Sequence, residues 1–236
     1  MAHPVSLPPL TLVEDVPDAF AELADATRSR QAARPLRLAF SGGSAGRACL
    51  DAMTAAEFDW TGVDFFLVDE RCVPPDHPDS NARSLAEGLG DARARLGGFH
   101  LMSCEAGPEA YAAEIAAAGG AFDLVQLGLG PDGHTASLFP HSAALEVPNG
   151  TLVARNEDPT GNNRHPRLTL TYDAISRAAL VVMTVFGAAK HDVLVALHEG
   201  ADLPAARVVA PRLVVLVDRD AAGALPTVPL LSPLID

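Results

Sequence analysis

The segment Gly130-Pro131-Asp132-Gly133-His134-Thr135 holds the residues best suited to chemistry in this chain. An imidazole such as that of His134 takes up or returns a proton near neutral pH, and a carboxylate two residues away, Asp132, can hold its tautomer. Glycines and a proline confine the backbone around the pair to turns. A capping or surface histidine would fit the same turn. Upstream, Ser41-Gly42-Gly43-Ser44 joins two glycines, which let backbone approach an anion, to the free amide donors of a helix start. That combination makes a phosphate cradle, although an ordinary strand-to-helix turn has the same composition. Asp69-Glu70-Arg71 brings two carboxylates and a guanidinium whose planar fork grips phosphate or carboxylate, unless the triplet closes on itself as ion pairs.

Other chemistries find less support. Eight histidines and thirty acidic residues are present, yet no HxH, HExxH or clustered Cys/His spacing appears, and Asp132 with His134 supplies two ligands at most. No metal site is expected. Without a GxSxG elbow, Ser44 has no base beside it for serine hydrolase chemistry. The turn at Ser41 is neither a GxGxxG fingerprint nor a Walker loop, so no cofactor is expected. His77, His100, His165, His191 and His198 read as structural or solvent-facing, with His141 only a near neighbour of the central segment.

Elements that could position these residues are legible in the apolar runs. Leu36–Phe40, Val63–Val68, Asp123–Leu127, Leu180–Val185 and Leu213–Val217 are continuous rather than alternating, as strands covered on both faces should be. Alanine-rich helical stretches lie between them, at Gly46–Ala56, Glu109–Ala118 and Ala188–His198, and Val16–Ala33 reads as a further helix capped by Asp15 or Asp18. Phe99–Met102, Thr151–Ala154 and Leu168–Thr171 are weaker strand candidates. The alternation predicts an α/β fold, a mostly parallel sheet with helices on both faces. In such sheets ligands sit beyond the carboxyl ends of the strands, and the segments just described follow the apolar runs directly. Val73–Asn81 is too rich in proline for a helix and reads as a long ordered loop of the kind that covers a site.

A chain of 236 residues with 48% hydrophobic and 20% charged residues can bury a sizeable core, and residues 1–236 read as one α/β domain. The formal charge of −13 argues against a nucleic-acid partner. Only one lysine, Lys190, stands among the 17 basic residues. The start MAHPVSLPPL lacks the basic and apolar blocks of a secretory signal, and no apolar run is long enough to span a bilayer. Three cysteines, an odd number without CxxC spacing, favour a reducing compartment, so a cytoplasmic protein with no membrane partner is expected.

Taken together, LAFSGGS, FFLVDERCVPPDHPDSN, FDLVQLGLGPDGHTASLFP and RLTLTYDAI leading into FGAAKHDVL resemble the 6-phosphogluconolactonase family, in that order and at comparable spacing. The matching blocks run from about Leu36 to Leu194. The larger group also holds glucosamine-6-phosphate isomerases/deaminases. The resemblance implies a Rossmann-like fold and metal-independent hydrolysis of 6-phospho-D-glucono-1,5-lactone in the oxidative pentose phosphate pathway. It makes His134 the base that activates water, with Asp132 beside it. Lys190, Arg71 and Ser41, Gly42, Gly43 and Ser44 would hold the 6-phosphate and orient the sugar, with Arg167 assisting, and Asp69, Asn81 and Gly133 as further substrate-binding positions. The isomerase/deaminase branch carries a Glu near the position of Phe139, so that activity is the alternative, alongside a non-catalytic sugar-phosphate sensor. A monomer or small homo-oligomer fits either reading.

Overall fold

The computed structural model describes residues 7–31 and 34–230. In chain order the elements are β1 (Leu10–Leu12), α1 (Val16–Arg30), β2 (Arg37–Phe40), α2 (Ser44–Ala55), β3 (Asp64–Leu67), β4 (Asp69–Arg71), α3 (Asn81–Leu89), β5 (Gly98–His100), α4 (Pro108–Ala117), β6 (Leu124–Leu127), β7 (Val153–Asn156), β8 (Arg167–Leu170), α5 (Tyr172–Ser176), β9 (Leu180–Val185), α6 (His191–His198), β10 (Leu213–Val217), α7 (Arg219–Ala222) and β11 (Thr227–Pro229). The Asp15 carboxylate accepts from the Asp18 amide and caps α1. The end of the helix expected at Ala33 lies outside the described residues.

Eight strands form one sheet in the order β11-β1-β10-β9-β6-β2-β3-β5, and the pairs are all parallel. Every residue of β6 and β9 is buried, which requires cover on both faces. The expected α/β architecture is therefore present. Inside the core Phe20 packs edge to face on Phe40, Phe40 stacks on Phe65, and Trp60 lies tilted against Phe65. Strand order reverses between β2 and β6, because the chain leaves β2 toward β3 on one side and leaves β6 toward β9 on the other. A crevice opens at such a reversal, at the carboxyl ends of the two strands.

A second sheet, β4-β8-β7, is antiparallel. It takes up the expected strands at 151–154 and 168–171 and stands apart from the parallel one. Val68 joins the two sheets: its amide donates to Phe40 O while its own carbonyl accepts from Leu170 N. At Leu67, the last residue of β3, the buried Tyr111 hydroxyl serves both the N–H and the C=O, so no backbone group is stranded where the chain leaves the large sheet. Cys72 and Cys104 are joined in a disulfide, tying the start of the 72–80 loop to the segment before α4. Cysteine spacing gave no sign of that pairing. The remaining thiol, Cys49, is buried, and burial pushes its pKa up to about 12, which leaves it unreactive. No helix among the described residues is long and apolar enough to cross a membrane.

Candidate active site

The carboxyl ends of β2, β6 and β9 and one face of the small sheet enclose a cavity of about 240 Å3. Ser41 ends the β2 turn, held by Gln126 of β6, whose side-chain oxygen accepts from Ser41 N and whose carbonyl accepts from Ser41 Oγ. Gln126 in turn donates to Thr184 Oγ1 on β9. The start of α2 is therefore stitched to three neighbouring strands. Its N-cap, Gly43, makes no side-chain cap, so the first-turn amides of the helix stay open toward the cavity. Gly46 allows this approach, since a Cβ there would lie 1.9 Å from Ser41 O.

His134 sits across from that helix start. Its Nδ1 faces Asp132 Oδ1 at 2.5 Å, and its amide also donates to that oxygen. The ring packs against Gly130, where any Cβ would come within 2.1 Å of Nδ1. Phe139 packs edge-on at 5.1 Å between ring centroids. With Nδ1 engaged by a carboxylate, Nε2 is the nitrogen left for proton transfer. Burial pushes the Asp132 carboxyl up, but the hydrogen bond and charge of His134 outweigh it and the net direction is down. Asp132 stays an anion that fixes the ring.

The third part is cationic. In the ladder between β4 and β8, Arg71 lies directly opposite Arg167. Like charges across a strand pair are destabilising. Both guanidiniums line the cavity, and three of their buried N–H sites, Arg71 Nε with Arg167 Nε and Nη1, have no hydrogen-bond partner among the described residues. Burial and then the charge of Arg71 hold the Arg167 pKa below the usual arginine value. Lys190 extends from the start of α6 to donate to Leu129 O at 2.5 Å, and burial pulls its pKa down against the opposing pull of Asp132. Arg71, Arg167 and Lys190 around an open helix start are an arrangement that can hold a doubly charged anion.

The comparisons with known proteins agree with this geometry. Residues 10–216 match the family described as glucosamine-6-phosphate isomerases/6-phosphogluconolactonase. The chain belongs to that family. The 6-phosphogluconolactonase of Rhizobium meliloti (strain 1021) is 36% identical over 195 residues, covering 75% of this chain and 82% of its own. That of Synechocystis sp. is 39% identical over 170 residues, covering 66% and 69%. The crystal structure of 6-phosphogluconolactonase from Thermotoga maritima superposes with a TM-score of 0.75 at 29% identity, covering 89% of this chain and 98% of that one.

Most residues expected from sequence meet at this one cavity of the family fold: Ser41, Gly43, Ser44, Asp69, Arg71, Asn81, His134, Arg167 and Lys190 line it. Three expected site residues do not line it. Gly42 is a packing residue, because a Cβ there would strike the Asn81 side chain at 2.2 Å. Gly133 turns the backbone at φ 79° and leaves no room for a Cβ against Leu203. Asp132 touches His134 instead of the cavity wall, so it positions the ring. Glu70 also departs from expectation. It accepts from Arg71 N, Asn81 N, Ala82 N and Ser80 Oγ, capping α3 rather than pairing with Arg71.

Other wall residues gave no warning in sequence. Ser137 donates to Asp69 Oδ2 at 2.6 Å and so, with Asn81 Nδ2, satisfies that buried carboxylate. Asn163 reaches the wall from the loop at 158–163, and Ala136 lines it in the left-handed region at φ 51°. The one available signal was Gln126, a polar residue inside an apolar strand, which marks a buried hydrogen-bonding duty.

Proposed function

We propose that this chain hydrolyses 6-phospho-D-glucono-1,5-lactone to 6-phosphogluconate, with the 6-phosphate seated between Arg71, Arg167, Lys190 and the open start of α2. The observation that carries this reading is the facing pair Arg71–Arg167, one partly buried and one buried like charge whose buried donors have no partner among the described residues, in the same cavity as His134. An anion of the substrate supplies what the chain itself omits. At the other end of the cavity, His134 Nε2 takes a proton from water as its oxygen bonds to C1 of the lactone. The carbonyl electron pair moves onto oxygen, the tetrahedral adduct collapses, the C1–O5 bond breaks, and the imidazolium returns its proton to O5. Asp132 stabilises the imidazolium without taking the proton. An activated ester needs no covalent intermediate, so one base and good positioning suffice.

Phe139 supports the lactonase branch. It is buried against His134, where the isomerase/deaminase branch carries a carboxylate for proton transfer between adjacent carbons. The reaction belongs to the oxidative pentose phosphate pathway, and we place the chain in the cytoplasm. Alkylating the protein during extraction then reads whether that compartment keeps Cys72 and Cys104 bonded.

The test is lactone hydrolysis coupled to 6-phosphogluconate dehydrogenase, corrected for the spontaneous rate, with ammonia release from glucosamine 6-phosphate measured in parallel. Hydrolysis without ammonia is expected, and His134→Gln should fold normally and lose about 10²–10⁴ in kcat. Ammonia release without hydrolysis overturns the branch, and a His134→Gln variant with a tenth or more of the activity overturns the assigned base.

A further inference from the structure

His77 and His165 lie 88 residues apart, yet the fold brings them together, in two loops whose neighbouring residues Arg71, Asn163 and Arg167 line the cavity. His77 sits in the proline-rich loop after β4, and His165 in the loop before β8. Their ring centroids are 5.6 Å apart, and Asp79 lies between them. His165 Nε2 is 2.8 Å from Asp79 Oδ2, and His77 Nδ1 is 3.9 Å from the same oxygen. One donor atom from each of the three residues falls within 4.8 Å of the other two. His77 and His165 are partly buried while Asp79 is exposed. His77 Nδ1 accepts from Asp79 N, so it carries a lone pair rather than a proton. This is the form a cation requires.

We propose that His77, Asp79 and His165 bind a borderline divalent transition-metal ion, with zinc as the best fit, and that the ion latches the 72–80 loop to the 158–166 loop beside the cavity. The donor set is the argument for the class. Two imidazoles and one carboxylate suit zinc, cobalt or nickel, whereas magnesium and calcium prefer an all-oxygen shell. Donor atoms around tetrahedral zinc, at about 2.0–2.2 Å from the ion, stand roughly 3.3 Å apart, and the two measured separations of 2.8 and 3.9 Å bracket that value. Binding exchanges the His165–Asp79 and Asp79–His77 hydrogen bonds for coordination. The fourth position is left to water, as the exposure of Asp79 permits.

The location gives the ion a consequence without a role in the chemistry. The carbonyl of Asp79 accepts from Arg71 Nη1 at 2.7 Å, which ties the coordinating loop to the anion receptor. Asn163 and Arg167, two residues to either side of His165, line the cavity. A bound ion fixes the two loops that carry these contacts, while His134 and Asp132 remain outside its coordination sphere.

The full chain, stripped with chelator, is titrated calorimetrically with zinc chloride and with cobalt chloride, whose visible absorption reports coordination by nitrogen. One saturable equivalent is expected for each metal, with a rise in Tm on zinc addition. His77→Gln and His165→Gln should each weaken binding by about tenfold or more. Both variants should retain metal-free lactone hydrolysis, which shows that they fold. His134→Gln and His100→Gln serve as controls and should bind zinc like the parent chain. Binding unchanged in His165→Gln overturns the proposal, as does binding lost in His134→Gln, which would put the ion on the proton-transfer pair. Absence of saturable binding overturns it too.

Discussion

Two groups of arginines stand at opposite ends of the large sheet and behave as opposites. At the amino ends of β2 and β6, Arg34 and Arg37 converge on Asp123, whose carboxylate accepts from Arg34 Nη1 and Nη2 at 2.8 and 2.5 Å and from Arg37 N at 2.9 Å. Asp123 is almost wholly buried, and although burial pushes its carboxyl up, the hydrogen bonds and charges of the two arginines hold it below the ordinary value. Across the molecule, Arg71 and Arg167 face each other, neither makes an ion pair within 4.0 Å among the described residues, and buried N–H groups of both have no partner there, although Asp69, Glu70 and Asp79 act on Arg167 from farther off. The same residue type is structural where the chain supplies an ion-paired carboxylate and, on the function proposed above, receptive where it does not. A hydrogen-bonding deficit, more than charge itself, separates binding arginines from scaffolding ones.

The comparison breaks first under removal of the internal anion. Asp123→Ala leaves two guanidiniums at the sheet edge without their carboxylate, and stripping one partner from a buried ion group costs about 3–5 kcal/mol. A large drop in urea midpoint is expected, with lactone hydrolysis per folded molecule unchanged. A variant as stable as the parent would show that the Asp123 group holds nothing together. The sign also follows in pH: a carboxyl depressed on folding contributes stability above its unfolded value near 3.9, and that contribution fades as pH falls below it.

The receptive pair should respond the other way. On the proposed seat of the phosphate, Arg167→Met removes donors to it, each charged hydrogen bond contributing about 1.5–3 kcal/mol, so kcat/KM for the phosphorylated lactone should fall roughly 10–150-fold. Stability should hold or rise, because one of two facing like charges is gone. With plain gluconolactone the substitution should be nearly neutral. Equal losses on both lactones would assign Arg167 to the carbonyl end of the cavity or to the fold. Saturating 6-phosphogluconate should raise the Tm of the parent chain and leave that of Arg167→Met almost unmoved.

How much of this was legible in sequence follows the range of each interaction. The parallel sheet was visible because buried strands write themselves as continuous apolar runs, and β9 and β10 have the expected limits to the residue. His134 and Asp132 were legible because their partnership is made within three residues of backbone. The register that sets Arg71 against Arg167, the bond between Cys72 and Cys104 and the seat of Ser137 on Asp69 all arise between segments 32 or more residues apart. No local pattern encodes them. The small antiparallel sheet was not legible for the same reason, although two of its strands were expected: β7 and β8 are four residues each, and their partner β4 is only three, so their apolar pattern cannot say which sheet they join.

The smallest effect sharpens the comparison further, because it concerns a carboxylate that serves the receptive end without touching an arginine. Asp158 accepts from Thr160 N and Oγ1 and from Asn163 N and Nδ2, at 2.7 to 3.0 Å, and so folds the 158–163 loop into a turn that presents Asn163 to the cavity. Burial raises its pKa, but these hydrogen bonds outweigh it and hold the carboxyl at about 2. Since the folded value lies below the unfolded one, the carboxylate contributes stability that is complete above about pH 4 and disappears as pH falls toward 2. Allowing for solvent at the loop, that contribution is about 1 kcal/mol. Asp158→Asn keeps one acceptor oxygen, loses the other to an NH2 group that cannot accept from Asn163, and carries no charge to titrate. Urea midpoints taken from pH 7 down to pH 2.5 should show the parent more stable at neutral pH and the two curves converging in acid. KM for the phosphorylated lactone should rise by less than in Arg167→Met, because Asn163 is displaced while the cations stay in place. A gap that persists or widens in acid would mean that the turn is held by something other than the Asp158 charge.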